Sequence, residues 1–349
     1  MKMMKQFISS VLVLGVCLTP LTVPLMVQPS WAQSQNSQIE KLNQLIEQAI
    51  QQGQQGQEAR QAIETWQQIL AIARQLKEKK SEALALNYIG LNYDSLSQPQ
   101  EALKYYNQAL PIMRSAGDRR GEAATLNNIG AAYNSISQPQ EALKYFNQAL
   151  PITQSAGDRK GEAATLSNIG LAYNSISQPQ EALKYFNQAL PILRQVGNRR
   201  GEATTLNNIG LAYDNISQPQ EALKYYNQAL PILQQVGDRR GEAATLNNIG
   251  AAYNSISQTQ EALKYFNQAL PIMRSAGNRR GEAATLNNIG RVYNSISQPQ
   301  EALKYFNQAL PIMRELGDRA GEATTLSNID AVNNRIQPPS RTNIPPIPQ

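Results

Sequence analysis

The sequence predicts an all-α protein in which pairs of helices stack into an elongated solenoid. The same forty-residue pattern recurs six times from Ser81 to Ala320. Each copy contains two stretches whose apolar residues return with helical spacing, and short segments with proline or glycine separate them. Because fixed periods of roughly 20–50 residues are typical of stacked repeat architectures, the repeat decides the fold class.

The unit from Gly121 to Lys160, "GEAATLNNIGAAYNSISQPQEALKYFNQALPITQSAGDRK", represents the six copies. In its first half the apolar residues fall on one side of a helical wheel, whereas the opposite side carries short polar and small side chains. We therefore expect a first helix that packs through a sector formed by Ala123, Leu126, Ile129, Gly130, Tyr133 and Ile136.

The second half of the unit predicts a second helix. Pro139 suits its first turn, and Ser137 with Gln140 resembles a capping box. Pro151 lies on the polar side of the wheel, where water can bond the carbonyl that it frees. The expected packed sector consists of Ala142, Leu143, Tyr145, Phe146, Ala149, Leu150, Ile152 and Ala156.

The connection to the next unit contains a helix stop and a helix start. Gly157 suits a left-handed C-terminal cap, and Asp158 can cap the following helix. The acidic and basic residues here, such as Glu122 and Arg120, are expected at exposed helix starts. A basic edge that attracts acidic partners is the lesser interpretation.

The motif Leu126-x-x-Ile129-Gly130-x-x-Tyr133, followed by Ala142-x-x-x-Phe146 and Ala149, resembles the tetratricopeptide repeat. Leu126 stands where the family pattern has tryptophan, and the period exceeds the usual value of about 34 residues. The longer units resemble those of the kinesin light chain type, which also read "TLNN". The resemblance covers Ser81 to about Ile336 and implies a right-handed superhelix of helix pairs with a concave groove.

The ends of the array predict capping elements, because a terminal unit has a neighbour on one side only. Residues 33–80 are predicted to hold divergent capping helices, since Gln61–Gln75 aligns with Glu101–Ser115 and Ser37–Gln52 supplies a partner helix. Residues 81–320 form the six units, and 321–337 form a final capping helix in which Asp330 replaces the packing glycine. Residues 338–349 are a proline-rich tail, predicted to be disordered.

Residues 1–32 have the parts of a secretory signal peptide: lysines, an apolar run and small residues at Ser30 and Ala32. We expect cleavage after Ala32 and export to the periplasm or the exterior. The alternative is a protein anchored to the membrane by an uncleaved N-terminal segment. A lipid-modified Cys17 is a weaker interpretation.

The composition argues against several classes of function. The chain of 349 residues has a formal charge of +6, too diffuse to predict nucleic-acid binding. It has no histidine, and its one cysteine lies in the leader, at position 17. With no phosphate loop, nucleophile elbow or zinc motif, we expect neither an enzyme nor a cofactor or metal site.

The candidate site is a ladder of asparagines on the face opposite the packed sector of each first helix. An amide offers a donor and an acceptor, which match the backbone of an extended peptide. The resemblance implies that such amides line the groove, and variation among Ala131, Leu171 and Arg291 would tune side-chain recognition. The candidate residues are Asn127, Asn128, Asn168, Asn207, Asn208, Asn247, Asn248, Asn287, Asn288, Asn328 and Arg291.

These observations predict a non-catalytic protein-interaction scaffold that holds an extended peptide or partner segment in its groove. Two alternatives remain open. The chain is a sensor or regulatory arm of a larger system, for example one working with a caspase-like protease, or it is a purely structural spacer. In the last case the asparagines only tie neighbouring helices together.

Overall fold

The computed structural model describes residues 30–54 and 59–336, which form fifteen α-helices and no strand. The first two, α1 (Ser30–Gln54) and α2 (Ala59–Leu76), precede the repeats. The others are α3 (Lys79–Ser95), α4 (Pro99–Ser115), α5 (Arg119–Ser135), α6 (Pro139–Ser155), α7 (Arg159–Ser175), α8 (Pro179–Gln195), α9 (Arg199–Asn215), α10 (Pro219–Gln235), α11 (Arg239–Ser255), α12 (Thr259–Ser275), α13 (Arg279–Ser295), α14 (Pro299–Glu315) and α15 (Arg319–Ile336).

Each helix packs against its neighbours in the chain, which confirms the predicted α–α solenoid. We call the odd-numbered helices from α3 to α15 the first helices and the even-numbered helices from α4 to α14 the second helices. Each first helix also contacts the first helices of adjacent units, whereas no second helix contacts another second helix. The first helices therefore lie closer together and line the inner side of the array, which we call the groove.

The two helices of a unit approach closely where an aromatic ring meets a glycine. Phe146 is 1% exposed, and its ring covers Gly130 so tightly that a Cβ there would lie 2.5 Å from Cε1 of Phe146. A second contact stacks Tyr133 on Tyr145 with their ring centroids 5.4 Å apart. All six units repeat both contacts, with tyrosine as the buried ring in two of them.

The structure confirms most local predictions for the second helices. Pro139 is in the first turn, and α6 continues through Pro151, which is exposed. Gly157 has a φ of 61°, and the side chain of Asp158 accepts a hydrogen bond from the Gly161 backbone N–H.

The capping box predicted at Ser137 and Gln140 is wrong. Ser137 has a φ of 60°, in the left-handed region, and its backbone N–H donates to the carbonyl of Asn134. It therefore belongs to the end of the first helix. Gln138 is the N-cap of α6 and makes no side-chain capping bond, so Pro139 and packing determine where this helix begins.

At the N-terminal end, the rings of Trp66 and Tyr88 stack with centroids 4.3 Å apart. The partner helix expected over 37–52 is longer and spans Ser30–Gln54. At the other end Asp330 is exposed in α15, the last helix that the structure describes. The leader before residue 30 and the proline-rich tail of 338–349 lie outside the described residues.

We predict that Gly170→Ala destabilises α7 and α8, although alanine is the better helix former. The new Cβ would lie 2.5 Å from Cε1 of Phe186, a buried ring. Overpacking of this kind costs about 1–3 kcal/mol, against about 1 kcal/mol gained in helix propensity. Hydrogen exchange of the two helices measures the effect. The control is Asp330→Ala, at the equivalent but exposed position of α15. If α7 and α8 are equally protected from exchange in the two variants, the close approach of Gly170 to Phe186 does not limit stability.

Candidate functional site

The groove surface comes from one face of each first helix. In the second unit this face presents the exposed side chains of Ala124, Ala131 and Ser135, beside the half-buried amides of Asn127 and Asn128. The side chains are short because each helix lies between its neighbours on the inner side of the array. The result is a shallow polar surface that continues from unit to unit.

The structure places nearly all of the predicted asparagines on this surface. Asn287 differs, because it is 9% exposed and its Nδ2 donates to the Ala283 carbonyl and to Thr325 Oγ1. It therefore presents no free amide to the groove. The half-buried amides are Asn127, Asn128, Asn168, Asn207, Asn208, Asn247, Asn248, Asn288 and Asn328.

Hydrogen bonds between units use part of the bonding capacity of most of these amides. Nδ2 of Asn168 donates to Oδ1 of Asn127 in the preceding unit at 3.2 Å. The same bond joins Asn248 to Asn207 at 3.3 Å, and it recurs in the Asn128–Asn87 and Asn288–Asn247 pairs. The structure thus shows the tie between neighbouring helices that the structural alternative requires.

The tie does not use up the amides. The amide oxygens of Asn128, Asn168 and Asn248 have no hydrogen-bond partner among the described residues, and each Nδ2 has a second N–H. Asn208 differs because the partner position in the preceding unit holds Ser167 instead of an asparagine, so no amide tie forms there. Asn128, Asn168 and Asn248 can therefore each hold the preceding unit and still offer one donor and one acceptor to a ligand.

Side chains next to the ladder give the groove different properties along its length. At one repeated position Ala131 and Ala251 are exposed, Leu211 is 40% exposed, and Arg291 is also exposed. The predicted Arg291 therefore lies on the groove surface, where it adds a positive charge. A bound chain would meet small, apolar and cationic side chains in successive units.

The expectation that Glu122 and its equivalents lie at exposed helix starts is wrong. Glu122 is 6% exposed and accepts hydrogen bonds from Arg114 Nε of the preceding second helix, at 2.9 Å, and from Arg119 of its own helix, at 2.7 Å. Burial raises the pKa of the equivalent Glu82, but hydrogen bonds from Lys79 and Arg74 outweigh it, so the pKa is lowered overall. Sequence alone suggested a solvated turn, whereas these carboxylates join successive helices.

A second feature missed from the sequence is a tyrosine–aspartate pair in two units. Tyr106 Oη donates to Asp94 Oδ2 at 2.7 Å, and Tyr226 Oη donates to Asp214 Oδ2 at the same distance. In the other four units phenylalanine and asparagine replace the two partners. The paired exchange within one chain was the signal that could have revealed this contact. Burial raises the pKa of both aspartates.

No group of three or more histidine, cysteine, aspartate or glutamate side chains within 30–54 and 59–336 could hold a metal ion. In the same ranges, no helix is both long and apolar enough to cross a bilayer.

Comparison with known families identifies the class of this solenoid. The tetratricopeptide repeat profile matches residues 49–115, 121–195, 161–235, 201–275, 241–315 and 281–329. The chain therefore belongs to the tetratricopeptide repeat family, as the motif around Gly130 and Phe146 indicated. No curated protein sequence matches it significantly.

Solved structures share the fold at low sequence identity. A STAND signal-transduction ATPase with a tetratricopeptide repeat sensor from Pyrococcus horikoshii is 17% identical, with a TM-score of 0.65, over 78% of this chain and 41% of that protein. This chain thus spans about two fifths of that relative. Aspartyl phosphate phosphatase F from Bacillus subtilis is 15% identical, with a TM-score of 0.62, over 89% and 80% of the two chains. A Rap protein complexed with competence and sporulation factor is 14% identical, with a TM-score of 0.57, over 86% and 99%.

We predict that Tyr226→Phe destabilises the chain more than the double variant Asp214→Asn/Tyr226→Phe. The single change leaves a half-buried carboxylate without its donor, at a cost of about 1–3 kcal/mol. The double variant restores the asparagine–phenylalanine pair of Asn174 and Phe186, which carries no charge. Denaturant unfolding of the wild type, Asp214→Asn, Tyr226→Phe and the double variant measures the coupling. Additive effects would contradict the pairing.

We predict that Asp238→Asn costs stability at pH 7 and less at low pH. Two hydrogen bonds lower the pKa of Asp238. One comes from the Gly241 N–H, and the other comes from Arg200 Nε, 2.8 Å from Asp238 Oδ2. An acid with a lowered folded-state pKa contributes stability above its unfolded pKa and loses it as the pH falls. Because Arg200 is exposed, the contribution at pH 7 is at most about 1 kcal/mol.

Unfolding of both proteins between pH 7 and pH 3 tests this prediction. Asparagine already occupies the same cap at Asn198, where it accepts from the Gly201 N–H at 3.0 Å, so the cap itself survives the substitution. The two stability curves should converge as the pH falls. Curves that stay parallel would show that the carboxylate charge contributes nothing.

Proposed function

We propose that this chain is a non-catalytic protein-interaction scaffold that holds an extended segment of a partner protein in its groove. The observation that carries the proposal is the row of half-buried amides, in which the tie donors, such as Asn168 and Asn248, each keep a second N–H and a free amide oxygen. An extended peptide presents backbone N–H and C=O groups at regular intervals, and these amides complement them. The ladder contributes affinity for the peptide backbone, and the variable side chains beside it, such as Leu211 and Arg291, contribute selectivity.

The similar structures support this class of function without identifying a partner. One of them is a Rap protein in complex with competence and sporulation factor. Another is a STAND protein whose tetratricopeptide repeats are described as a sensor. The latter favours the second candidate function, a sensor or regulatory arm whose groove ligand controls another protein.

We also propose that the chain acts outside the cytoplasm after cleavage following Ala32. The support is the leader-like sequence of residues 1–32. N-terminal sequencing of the protein recovered from the cell envelope tests it, and an N-terminus at Gln33 is the expected result. Recovery of the uncleaved chain in the membrane fraction would favour the anchored alternative.

Asn208→Ala is the most direct test of the groove, because Asn208 makes no amide tie to the preceding unit. We predict that this variant keeps wild-type stability and binds a groove partner more weakly. Loss of two neutral hydrogen bonds, at about 0.5–1.5 kcal/mol each, corresponds to a complex weakened roughly five- to 140-fold. Asn207→Ala should instead lower stability, since Asn207 Oδ1 accepts from Thr245 and Asn248.

The matched control is Asn227→Ala, which removes an exposed asparagine from the second helix of the same unit. A partner captured from envelope extract by the wild-type chain is cross-linked, mapped to its contact residues and titrated against all variants. Weaker binding by Asn208→Ala alone supports the groove. Equal binding by Asn208→Ala and Asn227→Ala would leave the asparagines with a structural role only.

A further inference from the structure

A cavity of about 430 Å³ opens at one edge of the groove, between α3, the start of α4 and α5. Asp94, Ser97, Pro99, Ala131 and Ser135 line it. Asp94 comes from the last turn of α3, whereas Ala131 and Ser135 come from the groove face of the next first helix. The cavity therefore adjoins the surface on which a bound segment would lie.

Among the described residues, no cationic side chain forms an ion pair with the carboxylate in this cavity. Asp94 is half-buried, and Tyr106 Oη, 2.7 Å from Oδ2, is the one hydrogen-bond donor that the described residues give its side chain. Lys80, an exposed basic residue of the same helix, lies fourteen residues earlier, about 21 Å along the axis at 1.5 Å per residue. A half-buried carboxylate without a counter-ion attracts a cation from outside the chain.

The same residue set occurs once more, three units further along. Asp214 replaces Asp94, and Ser217, Pro219, Ala251 and Ser255 occupy the other positions. In the intervening units asparagine replaces the acid, and Leu171 or Leu211 replaces the small Ala131. The aspartate and the small neighbouring alanine thus occur together at only two places among the six units. The combination is therefore not a general feature of the repeat.

The chain itself shows which side chain fits this position. Arg335 of α15 is the residue equivalent to Ser135, and Asn294 is the residue equivalent to Asp94. Nη1 of Arg335 donates to Oδ1 of Asn294 at 3.0 Å and to its carbonyl at 3.3 Å. A guanidinium therefore reaches the end of the preceding first helix, even where asparagine supplies the acceptor.

We propose that the cavity at Asp94 and its counterpart at Asp214 receive basic side chains, arginine above all, from the segment bound in the groove. The inference rests on the proposed groove function and names the class of partner, an extended segment with two basic residues. The planar guanidinium can bond the carboxylate and the adjacent carbonyl at once, as Arg335 bonds both oxygens of Asn294. The carboxylates of Asp94 and Asp214 make arginine a stronger ligand here than at Asn294.

Two pairs of variants isolate the parts of the site. Asp94→Asn/Asp214→Asn removes the charge and keeps an oxygen that can accept from the tyrosines. Ala131→Leu/Ala251→Leu fills the cavity at Asp94 and the equivalent position beside Asp214 without changing either acid. Leucine already occupies this position at Leu171 and Leu211. Both pairs introduce residues that other units carry, so folding of the array should be retained.

The first measurement uses a small probe that does not need the amide ladder. N-acetyl-arginine methylamide is titrated into the chain with ¹³C-labelled aspartate carboxyls, and the neutral citrulline analogue is the control. We expect the carboxyl signals of Asp94 and Asp214 to shift with the arginine probe, and Ala131→Leu/Ala251→Leu to abolish the shift. Equal responses to citrulline, or equal shifts at exposed aspartates such as Asp330, would overturn the proposal.

The second measurement uses labelled Gly/Ser peptides that carry two arginines at varied separation. The best spacing should bind the wild-type chain at least tenfold more tightly than its citrulline version, and Asp94→Asn/Asp214→Asn should remove that difference. Asn208→Ala should weaken both peptides alike. If Asn208→Ala has no effect on binding while the arginine peptide still binds more tightly than the citrulline peptide, the proposed role of the asparagine ladder is wrong and the aspartate sites are supported. If Asn208→Ala weakens binding but the two peptides bind equally well, the aspartate sites are wrong and the ladder is supported.

Discussion

The close approach of the two helices in each unit determines how the whole solenoid is built. A glycine on the first helix allows a buried ring of the second helix to lie against its backbone, as with Gly130 and Phe146. This contact fixes the geometry of the pair, and six copies of one geometry generate the regular solenoid. The first helices consequently lie side by side on the inner surface, and their short side chains leave a continuous groove.

Polar contacts between units then keep successive groove faces in register. Amide ties such as Asn168 to Asn127 join adjacent first helices, and buried carboxylates such as Glu122 join a second helix to the first helix that follows it. Because buried polar groups are costly when unpaired, these contacts favour one arrangement of neighbours. A surface held in this way is organised before any ligand arrives, which reduces the entropy lost on binding.

The sequence predicted the helix pairs, the exposed proline at 151 and the faces of both helices, because a forty-residue repeat displays each helical pattern six times. It did not predict the burial of Glu122, since its arginine partner eight residues earlier lies on another helix. Ser137 matched a capping pattern in the sequence, but in the structure it adopts the left-handed conformation that ends the preceding helix. The cavity at Asp94 is formed together with Ala131 and Ser135 of the next unit. The pattern within one unit therefore could not show that Asp94 has a different environment from Asn134.

We infer that the amides donating the ties, such as Asn168 and Asn248, each use one N–H to hold the preceding unit and offer the second N–H and the amide oxygen to a ligand. A crystal structure of the chain with ordered solvent would test this inference. We expect Asn168 Nδ2 and Asn248 Nδ2 to lie within hydrogen-bond distance of Asn127 Oδ1 and Asn207 Oδ1, respectively, with water or a ligand bound to the amide oxygens of Asn168 and Asn248. Amide oxygens bonded within the chain, or amides turned away from the preceding unit, would contradict it.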